Sequence, residues 1–239
     1  MPLTLTLKTQ SSVPIEVDAV RLENAREQST SEVLATQVLH GNVREPLGSF
    51  FDAKGSAGDD NTLVWEGDCR GVKRIAAKLN SGTIRVEGNA GMHLGAEMSG
   101  GEVFVSGNAT DWVGAEMRGG RIHIRGNAGH QLGAVYRGGH RGMTGGEILV
   151  DGNVGNEIGQ LMRRGLIAVA GRIGDLSGVN LIAGTIVVGG EAGIRHGAGM
   201  KRGTIAFLNP GTSVEILPTF RSAGLCRPTF LRLYLKHLA

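Results

Sequence analysis

The chain has 239 residues, 40 of them glycine, with 4% aromatics and a formal net charge of +3. That length buries a core without disulfides, and the glycine excess has neither collagen spacing nor a matching excess of proline, so a low-complexity or fibrous chain is excluded. A nucleic-acid surface would interleave basic and aromatic side chains, and two Trp, two Tyr and six Phe are too few for it.

Cys69 and Cys226 lie far apart with no CxxC pairing, which argues against a zinc or iron–sulfur site and predicts a reducing compartment. The N-terminus carries no apolar leader, and no apolar run reaches membrane-spanning length. The expectation is a cytoplasmic protein that touches neither membrane nor nucleic acid.

In chain order, Leu3/Leu5/Leu7 and Val13/Ile15/Val17 alternate and predict two strands in an N-terminal β cap over residues 1–32. From Val33 the pattern turns glycine-rich, first irregularly: His40-Gly41-Asn42, then Gly48, then a strand pair Leu63/Trp65 before Gly67. A strict register follows. Gly82, Gly101, Gly120, Gly146, Gly165, Gly184 and Gly203 are separated by 19, 19, 26, 19, 19 and 19 residues. Two further glycine columns run in phase, through Gly88 and Gly107 and through Gly95 and Gly114. The long spacing is read as a seven-residue insertion at about Gly139 to Gly145.

Each unit opens with an alternating apolar pair, from Ile84/Val86 and Val103/Val105 to Ile186/Val188 and Ile205/Phe207. Two apolar residues cannot hold a strand by themselves, so each must stack on its neighbours around a shared interior. The predicted fold is all-β: a right-handed parallel β-helix, or solenoid, of glycine-rich turns of 19 residues over residues 33–210, with terminal caps. Asn89, Asn108, Asn127 and Asn153 share one column, where Asn tolerates left-handed backbone and can form a side-chain ladder. Met98, Met117, Met162 and Met200, with Tyr136 and Leu181, form a second column expected to fill the interior.

Between the apolar pairs the outward positions read Arg85, Phe104, His123, then Leu149, Ala168, Val187 and Ala206. The later ones would leave an apolar patch, so a C-terminal helix or another subunit is expected to cover it. Residues 211–239 are read as a C-terminal cap or docking segment, with a helix from Thr229 to Leu238 behind Pro228.

No catalytic constellation and no metal site emerge. His93, His123, His130 and His196 sit at four different phases of the repeat, and Glu97 and Glu116 stack without further carboxylates. The GNAG corners have no Walker lysine beside them, and no aromatic platform for sugars is visible. One surface feature does point to binding. Arg118, Arg137, Arg163 and Lys201 fall in one column, with His140 and Arg141 in the adjoining insertion. Turns stack about 4.8 Å apart, so this would be a ladder of like charge suited to a polyanion or an acidic partner surface.

The repeats GTIRVEGNAGMHLGAEMSG, GEVFVSGNATDWVGAEMRG, GRIHIRGNAGHQLGAVYRG and GTIVVGGEAGIRHGAGMKRG resemble the glycine-rich repeat shared by the C subunit of formylmethanofuran dehydrogenase and the C-terminal domain of the glutamate synthase large chain. A stand-alone chain of this length is most similar to the C subunit of the bacterial formyltransferase/hydrolase complex. That resemblance implies a non-catalytic structural subunit in tetrahydromethanopterin- and methanofuran-linked oxidation of formaldehyde to formate. It implies amidohydrolase-like and formyltransferase partner subunits that carry the chemistry, and no metal or covalent cofactor on this chain. Methanofuran-type carriers bear glutamate chains, which the basic ladder could guide. Thr110, Arg172 and Ser177 depart from the repeat, which speaks against a uniform ligand role for the corners. Alternatives are the C subunit of an archaeal-type formylmethanofuran dehydrogenase and a glutamate-synthase-like scaffold. A stand-alone acyltransferase fits less well, because its hexapeptide repeats give turns of 18 residues rather than 19.

Overall fold

The computed structural model describes residues 1–58, 60–211 and 213–238. In chain order the elements are β1 (Leu3–Leu7), β2 (Ile15–Glu16), α1 (Leu22–Ala25), α2 (Thr30–Ala35), β3 (Gln37–His40), β4 (Val43–Pro46), β5 (Phe51–Lys54), β6 (Thr62–Glu66) and β7 (Val72–Lys73). The repeat then supplies β8 (Thr83–Glu87), β9 (Ser99–Val105), β10 (Gly119–Ile124), β11 (Glu147–Val150), β12 (Leu166–Val169), β13 (Thr185–Val188) and β14 (Thr204–Phe207), and the chain closes with α3 (Thr229–Leu238).

One strand per turn stacks in sequence order. The main sheet runs β14-β13-β12-β11-β10-β9-β8-β6-β1-β5, parallel throughout except for β5 at its edge. The register is set by burial. Leu3, Leu63, Ile84, Val103, Ile122, Ile148, Ile167, Ile186 and Ile205 form one continuous inward ladder. The second ladder runs two residues later in every strand, from Leu5 and Trp65 to Val188 and Phe207. A one-residue slip would turn both ladders to solvent, and each buried Ile, Leu or Val contributes about 1.5–3 kcal/mol, so the register is strongly specified. The parallel solenoid expected from the glycine columns is thus what the chain builds. β1 joins it directly: it lies between β5 and β6, and it begins both ladders.

Two kinds of glycine recur. Gly101 has φ +74°, the left-handed region. Gly107 instead allows close approach, since a Cβ there would sit 2.6 Å from the carbonyl oxygen of Gly88 one turn below. The Asn column does form its ladder: Asn89 Oδ1 accepts from the Asn108 amide at 2.9 Å, Asn108 from Asn127 at 2.8 Å, and Asn127 from Asn153 at 2.8 Å. It does so without left-handed backbone. That conformation falls instead on two columns of other residues, Arg74, His93, Trp112, Gln131, Glu157, Leu176 and Arg195, and Lys78, Glu97, Glu116, Leu161 and Asn180.

The insertion sits earlier than the glycine spacing alone suggests. Thr144 N donates to Met117 O at 2.7 Å and Arg163 N to Met143 O at 2.8 Å. Met143 is fully buried and takes the interior position expected for Tyr136, whose side chain is only half-buried. The extra residues are therefore 136–142. An unbranched thioether fills the lumen without a polar atom to satisfy, whereas a buried tyrosine needs a partner for its hydroxyl.

Helix α3 covers the outward apolar residues of the later turns. Leu231, Tyr234 and Leu235, at i, i+3 and i+4, pack on Leu149, Leu166, Ala168 and Val187. His237 in its last turn meets Glu147 at 3.1 Å. No described helix is long and apolar enough to cross a membrane.

Candidate functional site

The basic strip begins where each turn leaves the methionine column. Arg118 N donates to Met98 O at 2.7 Å and Lys201 N to Leu181 O at 2.9 Å, as Arg163 N does to Met143 O. The column therefore reads Ser99, Arg118, Thr144, Arg163, Ile182, Lys201. Its cations stand two turns apart, about 10 Å at β-stack spacing, so their mutual repulsion is modest. Arg137 is not in the column, because Thr144 occupies that rung.

Arg137, His140 and Arg141 belong to the inserted loop, where all three are exposed. The loop returns to the column at one point, with Arg163 Nη2 3.5 Å from the carbonyl oxygen of His140. Arg163 Nε is buried without a hydrogen-bond partner. Among the described residues, none of Arg118, Arg137, Arg141, Arg163 and Lys201 forms an ion pair. Guanidinium and ammonium groups that the protein leaves uncompensated suit an external carboxylate or phosphate chain.

The loop is rooted in an aromatic stack that the sequence pattern did not disclose. His93 and Trp112 share a column and stack at 6.1 Å between centroids; Tyr136, the first inserted residue, stacks on Trp112 at 5.4 Å. The Tyr136 amide donates to Glu116 Oε1 at 3.2 Å. Burial lowers the His93 pKa, helped by the charges of Arg74 and Lys73, and burial raises that of the Tyr136 hydroxyl. The spacing of 19 between His93 and Trp112 was the visible signal. Tyr136 could join them only once the start of the insertion was known.

A second surface lies on the outer face of the main sheet, a groove of about 800 Å³ with Leu235 of α3 among its lining residues. The Arg85 and Arg125 guanidinium carbons lie 5.2 and 5.5 Å from the centre of the Phe104 ring. His123 Nε2 meets Asp151 at 2.9 Å.

Neither cysteine lies on these surfaces. Burial pushes the Cys69 thiol up to about 12, so it stays protonated, and Cys226 is exposed on the C-terminal segment. Among the described residues, no three of His, Cys, Asp and Glu converge as a metal site would require.

Residues 72–216 match the GXGXG motif family, which is more than half of the chain. The chain belongs to that family. A solved structure of the formyltransferase/hydrolase complex (FhcABCD) from Methylorubrum extorquens, in complex with methylofuran, contains a chain similar to this one at 34% identity and a TM-score of 0.90. The match covers 98% of this chain and 88% of that one. Among curated relatives, the C subunit of molybdenum-containing formylmethanofuran dehydrogenase 1 from Methanothermobacter marburgensis is 39% identical over 95 residues. The C subunit of tungsten-containing formylmethanofuran dehydrogenase 2 from Methanococcus maripaludis is 36% identical over 92 residues. Those two alignments span 40% and 38% of this GXGXG chain, and only 24% and 34% of the relatives' own length. The resemblance carried by the repeats is borne out by these relatives.

Proposed function

We propose that this chain is the non-catalytic structural subunit of a cytoplasmic formyltransferase/hydrolase complex, acting in tetrahydromethanopterin- and methanofuran-linked oxidation of formaldehyde to formate. The observation that carries the reading is likeness over nearly the whole chain to one chain of such a complex. Its partners are amidohydrolase-like and formyltransferase subunits, and the chemistry is theirs.

This chain's part is to present a rigid surface and a line of uncompensated charge. Arg118, Arg163 and Lys201 on successive alternate turns, with Arg137, His140 and Arg141 on the loop, hold the glutamate chain of a methanofuran-type carrier. They bind it electrostatically, so the carrier's reactive end stays free to move. The partnerless Arg163 Nε and the unpaired guanidiniums fit a carboxylate-rich ligand.

The 39% identity to a formylmethanofuran dehydrogenase chain supports a second reading, as the C subunit of an archaeal-type dehydrogenase, and a third places the chain as a scaffold in glutamate-synthase-like chemistry. Affinity purification of the full chain from its own cells decides among them. Copurifying formyltransferase activity with an amidohydrolase-like subunit is the expected result. A molybdenum or tungsten enzyme in its place selects the dehydrogenase, an amidotransferase the third reading, and a chain active alone removes all three.

A further inference from the structure

The N-terminal cap brings together three side chains that neither the solenoid nor the basic strip uses. Ser11 Oγ lies 2.9 Å from His40 Nε2, and His40 Nδ1 lies 2.9 Å from Glu45 Oε1. Across the β3–β4 hairpin Glu45 pairs with Val38 and His40 with Val43, so His40 and Glu45 sit diagonally on one face. The buried Phe50 ring meets the imidazole edge-on, 4.9 Å between centroids, and holds its plane. Ser11 is fixed from both sides: Gln10 Nε2 donates to Asp68 O at 2.7 Å, and Ile15 N to Gly71 O at 3.0 Å. Positions 11, 40 and 45 share no spacing with the repeat, so the sequence pattern carries no trace of the cluster.

The hydrogen bonds run in one direction. A carboxylate only accepts, so the Nδ1 proton points at Glu45 and Nε2 is left as an acceptor. The Ser11 hydroxyl proton is thereby committed to Nε2, while its oxygen accepts from the Val13 N–H at 3.1 Å. Nucleophile, base and orienting carboxylate in that order are the arrangement that activates a serine, and it is recognised by geometry rather than by sequence position. All three residues are partly exposed. The backbone N–H of Ser12 has no acceptor among the described residues, and the residue after the nucleophile supplies one oxyanion donor in serine hydrolases. Beside Ser11 lies a depression of about 10 Å³, walled in part by Leu7, Ile15 and Val72, with room for about one water-sized group.

We propose that Ser11 is a nucleophile that takes a small acyl group, of acetyl size, from an activated ester, with His40 as its base and Glu45 positioning His40. Ser11 Oγ attacks the ester carbonyl carbon as its proton passes to His40 Nε2, and that proton leaves with the departing alcohol. Water, deprotonated by the same nitrogen, then attacks the acyl-serine; Oγ recovers the proton and the carboxylic acid departs. Each cycle consumes one ester and one water, yields one acid and one alcohol, and restores the three side chains. The inference goes beyond the chain's place in an assembly and does not depend on which subunits accompany it.

The test uses the full chain purified free of other subunits. p-Nitrophenyl acetate is expected to release p-nitrophenolate in a burst stoichiometric with the chain, and mass spectrometry of the acid-quenched protein to place the acetyl group on Ser11. p-Nitrophenyl hexanoate should be cleaved about tenfold more slowly, because the depression has no room for its chain. Ser11→Ala and His40→Gln are expected to lower the rate about 100-fold, and Glu45→Gln to lower kcat about tenfold with KM unchanged. Mapping the acetyl group on the wild-type chain needs no variant and stands even where one fails to fold.

Four results overturn the proposal: acetyl on lysine or the N-terminal amine with none on Ser11, a Ser11→Ala chain as fast as wild type, hexanoate cleaved as fast as acetate, or a Glu45→Gln chain that melts earlier yet keeps its kcat. The last would make the contacts a brace for the hairpin. Ester cleavage is scored apart from formyl transfer, so partner subunits that copurify equally with wild type and Ser11→Ala leave the assembly reading standing whichever way the ester result falls.

Discussion

The Tyr136 hydroxyl lies 3.3 Å from Nδ1 of His93, a residue two turns of the solenoid earlier. With Trp112 stacked against both rings, this contact ties the first residue of the inserted loop to a rigid part of the sheet corner. Removing the hydroxyl in Tyr136→Phe should cost about 1 kcal/mol of stability, the usual worth of one hydrogen bond, and Trp112→Ala about 2 kcal/mol. Both should speed amide hydrogen exchange in residues 137–142 more than in β10. Equal acceleration everywhere would show that the stack does not anchor the loop.

Acidification should weaken the fold through His93 and His196. Each has its pKa lowered, chiefly by burial, so the unfolded chain takes up the proton first as pH falls. Arg74, Lys73, Glu16 and Asp111 set the charge around His93, and Asp175 and Glu215 that around His196. Stability is therefore complete above the unfolded value near 6.5 and declines as pH drops through it toward the folded pKa. Thermal midpoints should be flat between pH 8 and about 7 and fall below that range. The double variant His93→Gln, His196→Leu should show a shallower fall, and an identical one would place the acid sensitivity elsewhere.

The basic column, with Thr144 on its third rung, makes its own prediction for polyanion binding. Reversing Arg118 and Arg163 to Glu should weaken binding of a polyglutamate peptide at least tenfold, about 1.4 kcal/mol, at low ionic strength. Raising salt should erase most of the difference, since exposed charges are screened beyond roughly 10 Å at 0.1 M. Thr144→Arg fills the gap between Arg118 and Arg163 and should strengthen binding several-fold. If Thr144→Arg has no effect while Arg137→Glu abolishes binding, the loop and not the column is the site.

The residues carried the solenoid plainly, because its signals are local and repeated: an apolar pair, a glycine, and the same again 19 residues later. The helix over Leu149 and Val187 was legible for a similar reason, since outward apolar positions need a cover and Pro228 announces one. What could not be read was where the inserted residues begin. Gly138, Gly139, Gly142 and Gly145 flank every choice with permissive backbone, and only the preference for burying Met143 over Tyr136 settles it. That shift moved Arg137 off the basic column and assembled the His93–Trp112–Tyr136 stack. The polar end of the lumen was hidden too, because buried Ser177 and His196 look like ordinary lapses of a repeat until their shared column is known.

The left-handed columns were equally invisible, for Arg, His, Trp and Leu carry no mark of positive φ. Arg195, at φ +60° and exposed, shows the consequence most simply. A left-handed non-glycine residue costs about 1–2 kcal/mol, and glycine gives back somewhat less than that through the unfolded chain. Arg195→Gly should therefore raise stability by about 0.5 kcal/mol, and β-branched Arg195→Ile should lower it by about 1 kcal/mol. Chemical denaturation of the two variants checks the sign.

A corner ladder beside the Asn column gives the sharpest test of how the turns are held. Asp111 Oδ1 accepts from the His130 amide at 2.7 Å, His130 Nδ1 from the Asn156 amide at 2.9 Å, and Asn156 Oδ1 from the Asp175 amide at 3.0 Å. A histidine here replaces a short amide or carboxylate, accepting one backbone N–H from the turn above. That role requires the Nε2–H tautomer, with Nδ1 unprotonated. His130→Asn keeps an acceptor at the same reach and should leave stability within about 0.3 kcal/mol, whereas His130→Ala leaves the Asn156 amide to water and should cost about 1 kcal/mol. Exchange of the Asn156 amide should accelerate only in the alanine variant. If asparagine and alanine destabilise alike, imidazole packing rather than the ladder bond is what holds this corner.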